Sequence, residues 1–153
     1  MYTSDIDRRN GGRGFRREAA HNCKEAFTAA TRYLLITLFC GLFSFVYEHF
    51  SHGVYSNYMV YLFLFPLVGG VLPYGALWLT GGRYYPGGFA TGLYNCGIAT
   101  LTVGSCMQGV LEIYGTTSIY MPVYWIAGCA LTFAGLLAFF IFLITRKSAY
   151  GNR

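Results

Sequence analysis

Residues 33–50 read YLLITLFCGLFSFVYEHF, and the organisation of the chain follows from them. The run contains no Lys, Arg or Asp, and its one carboxylate, Glu48, comes near the end. A helix crossing a hydrocarbon core of about 30 Å needs roughly 20 such residues, because without water every backbone amide must bond within its own segment. Three further stretches have the same character: Tyr58 to Thr80, Gly88 to Tyr114 and Met121 to Thr145. All eleven Lys and Arg lie outside the four, and beyond the N-terminal arm the only acidic residues are Glu48 and Glu112. The pattern predicts an all-α membrane protein: four transmembrane helices in an antiparallel bundle, with matching carboxylates ending the first and third.

Composition agrees. Of 153 residues, 55% are hydrophobic and 11% charged, too apolar for one small water-soluble core. The formal charge of +5 does not indicate nucleic-acid binding, since seven of the eleven basic residues precede residue 33 and the others flank apolar segments. Seven lie before the first span, Arg83 in the middle loop and three after the fourth, while the first and third loops have none. The positive-inside tendency then places both termini in the cytoplasm of a multi-pass cell-membrane protein. Tyr47, Tyr55, Tyr58, Tyr114, Tyr120, Tyr124 and Trp125 are expected in an outer aromatic belt, and Tyr33, Trp78, Tyr84 and Tyr85 in an inner one.

Three regions result: a basic cytoplasmic arm (1–32), the bundle (33–145) and a short cytoplasmic tail (146–153). The arm begins too polar for a cleavable signal peptide and is expected to persist in the mature protein. Its charges and glycines predict disorder from Thr3 to Gly14 and a short surface helix from Phe15 to Ala30. Arg8, Arg9, Arg13, Arg16 and Arg17 set topology and contact anionic lipid, each worth about 1 kcal/mol near a charged surface. The halves also echo each other: SFVYE at 44–48 aligns with QGVLE at 108–112, and Tyr58-Met59 with Tyr120-Met121. A duplicated two-helix hairpin is one reading of this, and chance is the other.

At 100° per residue, Thr37, Gly41, Ser44, Glu48 and His52 form one polar stripe on the first span. Thr91, Asn95, Thr102, Ser105, Gly109 and Glu112 form another on the third, with Gln108 at its edge. Polar groups avoid lipid, so the stripes are expected to turn inward and face each other. Pro66, Gly69, Gly70 and Pro73 are expected to kink or thin the second span. Gly128, Gly135 and the row Ala130, Ala134, Ala138 should permit close approach along the fourth.

Glu48 is the first residue to test, since a charge at membrane depth costs about 2.5–3.5 kcal/mol on insertion scales. It either pairs with His52 one turn on and pins helices, or binds a transported proton or cation. A third reading gathers Glu48, His49, His52 and Glu112 around a metal at the outer face, although His49 points about 100° away from Glu48. Haem lacks axial ligands on facing spans. The five cysteines form no CxxC pair, and the four within the spans read as small buried apolar residues. Asp5 and Asp7, the only aspartates, lie across the membrane from His49 and His52, so a hydrolase triad cannot assemble. The glycine runs open no phosphate loop, and no cofactor is expected.

In having four spans and a Glu in the first, the chain is similar to the small multidrug transporters. Their chains are shorter and their Glu lies deeper, so the resemblance is one of class and carries over no residue role. The sequence therefore reads as a non-enzymatic packing or accessory subunit, associating with itself or with a larger membrane protein. The alternatives are an oligomeric proton- or cation-coupled transporter using Glu48, with Glu112 and Gln108 at the mouth and Asn95 along the path, and a metal-binding membrane protein.

Overall fold

Pro is absent before residue 66, and nothing in the first fifty residues removes a backbone donor from a helix. The computed structural model describes residues 3–51, 53–81, 85 and 88–151, with side chains from 16 to 145. Its first element is accordingly one unbroken helix, α1, Thr3–Phe50. The arm, expected as disorder followed by a separate surface helix, instead continues into the first span. At 1.5 Å per residue α1 is about 70 Å long, more than twice a hydrocarbon core. Phe27 packs on Trp78, with ring centroids 5.7 Å apart, which sets the end of the second span level with residue 27.

Four helices are long and apolar enough to cross a membrane: Arg16–Phe50, Asn57–Leu79, Gly88–Ile113 and Met121–Thr145. No strand occurs among the described residues. The second span is segmented where the sequence places its prolines and glycines. It comprises α2 (Asn57–Val60), α3 (Leu64–Pro66), a π-helical turn (Leu67–Val71) and α4 (Leu72–Leu79). Pro66 and Pro73 cannot donate to the ladder, and the widened turn between them absorbs the mismatch. The remaining elements, α5 (Gly88–Ile113) and α6 (Met121–Gly151), are unbroken. Gly115, at φ 68°, ends α5: its N–H bonds the carbonyl of Glu112 and the Thr116 N–H bonds that of Leu111, both 3.0 Å. This is a Schellman closure, which needs the left-handed conformation glycine adopts freely.

The helices pack as an open row. α1 lies along the second span, the second span along α5, and α5 along α6, while α1 and α6 share no packed face. Cys40, Met59 and Leu62 form a small core into which Phe43 and Tyr47 of α1 and Cys106, Val110 and Ile113 of α5 pack. Between 11% and 28% of each span's most apolar stretch is buried within the chain, so most of the apolar surface is left for lipid or partner helices.

The tightest seam is α5 against α6, where glycines recur at seven-residue intervals on both helices. A Cβ on Gly97 would lie 2.9 Å from the Thr132 Cα, and one on Gly104 2.9 Å from the Tyr124 Cβ. Reciprocally, one on Gly128 would lie 2.7 Å from Leu101, and one on Gly135 2.7 Å from the Tyr94 Cα. Knobs of each helix thus fill glycine gaps of the other, and backbones approach closely enough for dispersion to hold them without a hydrophobic drive. Gly128 and Gly135 do what the sequence implies. The alanine row does not: Ala130 and Ala134 are exposed and Ala138 half-buried, turned away from this seam.

Gly97→Leu should therefore lower thermal stability in detergent by at least ~1–3 kcal/mol, the range for overpacking a tight site. Gly92→Ala, where a Cβ meets nothing within 4 Å, should be neutral or slightly stabilising in the same melt.

Candidate functional site

The break in the second span is where the polar stripes find their use. Between α2 and α3 the chain makes a tight turn in which the Leu62 N–H bonds Met59 O at 3.2 Å, one residue short of the α-helical acceptor Tyr58 O. Carbonyls freed in this way must be satisfied by another part of the protein when lipid surrounds them. Ser105 of α5 donates to the freed Tyr58 O at 2.8 Å, and Ser44 of α1 adds a second donor to Met59 O at 2.6 Å. Both serines are buried, and Gly109 lets α5 come close enough that a Cβ there would lie 2.9 Å from the Met59 N. The stripes turn inward as expected, but the second span lies between them, and each meets this span's backbone.

Next to this clamp is Ser56, 1% exposed, which precedes α2. A serine there usually accepts from the first helical amides. Here its hydroxyl donates to Glu112 Oε2 at 2.6 Å, so Glu112, otherwise exposed, ties α5 to the start of the second span. Gln108 is half-buried one turn away.

Toward the other end of the second span, Asn95 is a second junction. Its Oδ1 accepts from the Tyr33 hydroxyl at 2.9 Å and the Tyr74 hydroxyl at 2.7 Å, joining α1, α4 and α5 through one oxygen. The two phenol rings stack, with centroids 5.6 Å apart and planes 17° from parallel. Gly70 in the π turn makes room, since a Cβ there would overlap the Tyr33 ring. Tyr33 therefore lies inside the row and not in an inner aromatic belt. An amide in an apolar span calls for partners, and Asn95 was the sequence signal; which tyrosines stand at its depth is a matter of register between distant segments.

Glu48 follows Ser44 by one turn on the inward side of α1 and is half-buried. Its Oε1 is buried and has no hydrogen-bond partner among the described residues. The Glu48 carbonyl accepts from the Ser51 N–H at 3.2 Å and the Ser51 hydroxyl at 2.8 Å, ending the helix. His52, the expected partner of Glu48, lies outside the described residues. His49 is exposed and edge-on to Phe50, with centroids 5.7 Å apart. Among the described residues no three His, Cys, Asp or Glu side chains gather as metal ligands.

The cysteines are free thiols. Cys40 is buried and Cys106 half-buried in the core around Met59. Cys96 and Cys129, expected inside, are exposed on the outer surface of α5 and α6. In the arm, Arg16 and Arg17 are exposed, while Arg8, Arg9 and Arg13 are described only as helical backbone. In the loop after α4, outside the spans, Tyr85 is half-buried. Burial and the Glu25 carboxylate push its phenol above the usual range, with Arg32 pulling it back.

No family model matches this chain, and no curated protein or solved structure matches it either.

Asn95→Leu should strand two phenol hydroxyls at once and destabilise the protein by about 1–3 kcal/mol. Tyr74→Phe, which leaves Asn95 one donor, should cost nearer the ~0.6 kcal/mol typical of a single hydrogen bond between membrane helices. Unfolding in mixed micelles, with both variants beside wild type, checks the ratio.

Proposed function

We propose that this chain is a non-enzymatic packing subunit of a membrane assembly, made with copies of itself or with a larger membrane protein. The supporting observation is how the intramembrane polar groups are spent. Ser44 and Ser105 bond backbone carbonyls, Glu112 bonds Ser56, and Asn95 bonds two tyrosines, all within one chain. Groups committed in this way brace helices and are not free to pass a solute along. The flanking helices α1 and α6 stand at the two ends of the row and offer large apolar side chains outward, among them Phe39, Phe45, Phe133 and Ile144. In this reading the protein is a multi-pass component of the cell membrane, an antiparallel bundle with both termini on the cytoplasmic side, where its basic residues would collect.

One observation favours a second reading, proton- or cation-coupled transport. Glu48 keeps a carboxylate oxygen at membrane depth that no side chain or backbone group among the described residues satisfies, and intramembrane carboxylates commonly serve ion pathways. The two readings separate on Glu48→Gln. A packing subunit carrying this change should fold, with stability within about 0.5 kcal/mol of wild type, and should assemble to the same mass, and wild-type vesicles should show no pH-driven flux. Flux in wild type that vanishes in Glu48→Gln would replace packing by transport.

A further inference from the structure

A groove of about 560 Å³ runs between α4, α5 and α6, away from the serine clamp and Glu48. Tyr94 of α5 forms its floor, Ala76 and Leu77 of α4 one wall, and Leu136, Phe139 and Leu143 of α6 the other. We propose that it holds one acyl chain of an anionic phospholipid, with the headgroup at the end marked by Thr80 and Leu143.

Depth, length and charge carry the assignment. The lining belongs to three spans and is almost wholly apolar, so the groove opens sideways into hydrocarbon, and its volume lies within the roughly 300–1,000 Å³ of small-molecule sites. Its walls run from Pro73 to Thr80 and from Gly135 to Leu143, about 10–12 Å of helix. That is less than half of a core of about 30 Å and matches a chain confined to one leaflet. A partner's transmembrane helix would need a seat along the whole thickness, and this groove stops at Pro73 and Gly135.

Basic residues follow that end along the chain. In sequence, Arg83 follows Thr80 by three residues, and Arg146 and Lys147 follow Leu143 by three and four. No acidic residue occurs in 81–87 or 146–153. Glu25 and Arg32 of α1 act on Tyr85 in the same loop with opposite signs. The excess is basic, and each Lys or Arg near a membrane surface adds about 1 kcal/mol of attraction for anionic lipid.

The test uses the full chain, delipidated in a mild detergent and titrated with phosphatidylglycerol or phosphatidylcholine, with bound lipid counted by native mass spectrometry. One phosphatidylglycerol per chain is expected, held at least tenfold more tightly than phosphatidylcholine. Ala76→Trp and Leu136→Trp fill the groove from opposite walls, and each should lower that affinity at least tenfold. Leu137→Trp, on the exposed face beside the groove, should leave it unchanged. Arg83→Gln should narrow the preference between the two lipids. Equal affinity for both lipids in wild type, or undiminished binding in the two filled variants, would overturn the proposal. So would filled variants that keep their lipid but lose a subunit, since a second copy would then be the occupant.

Discussion

A backbone carbonyl released from its helix inside a bilayer must find a donor, and this structure is arranged around that requirement. The second span carries Pro66 and Pro73 and turns sharply between α2 and α3, so it cannot bond itself throughout. Its neighbours repair it. Ser105 reaches the released carbonyl of Tyr58, and Ser44, from the opposite side, reaches that of Met59, which the Leu62 N–H also bonds. At the other end Gly70 admits the Tyr33 ring and Tyr74 meets Asn95. α1 and α5 are each pinned to the second span at two depths, which leaves neither free to slide by a turn. The imperfect helix thereby becomes the template that sets the register of its neighbours.

The four spans were legible in the sequence because lipid imposes a length and a composition, and both can be counted. The interruption of the second span was legible too, since proline and glycine act locally. What could not be read is which side chain repairs the break. A serine on an inward stripe looks the same whether it faces another stripe or a carbonyl, and choosing between them requires the order of packing, with the second span interposed between α1 and α5. The glycine seam shows the same limit. Gly128 and Gly135 suggest a close approach, but that Gly97 and Gly104 answer them depends on the offset between α5 and α6. Cys96, Cys129 and the exposed alanines were misjudged because small apolar residues are tolerated equally in a seam and against lipid. The helical arm shows that local composition underweighted the cooperativity of extending a helix already formed.

Glu48 and Glu112 look equivalent along the chain, and the structure separates them. Glu112 accepts from Ser56 and joins two spans, while Glu48 keeps an oxygen without a partner among the described residues. Their surroundings differ for the same reason that the two helix pairs differ. The first pair contains the broken span, whose backbone Ser44 of α1 reaches; the second contains two unbroken helices and is held by reciprocal glycine contacts. Whatever the origin of the sequence echo, the two pairs are built on different physics.

That difference has an energetic side. Interhelical hydrogen bonds in membranes average about 0.6 kcal/mol, because polar groups on separated helices also find partners, so the serine and asparagine junctions contribute register more than stability. Close backbone packing has no such competitor, and α5 and α6, drawn together by reciprocal glycine contacts, share the most extensive contact of any two elements here. The α5–α6 pair is then the firm element, and α1 with the second span is located against it by a few directional bonds. Because those bonds are satisfied internally at both depths, the outward faces of α1 and α6 need only be apolar. An outer surface free of obligatory polar partners can meet acyl chains or another helix without disturbing the register within.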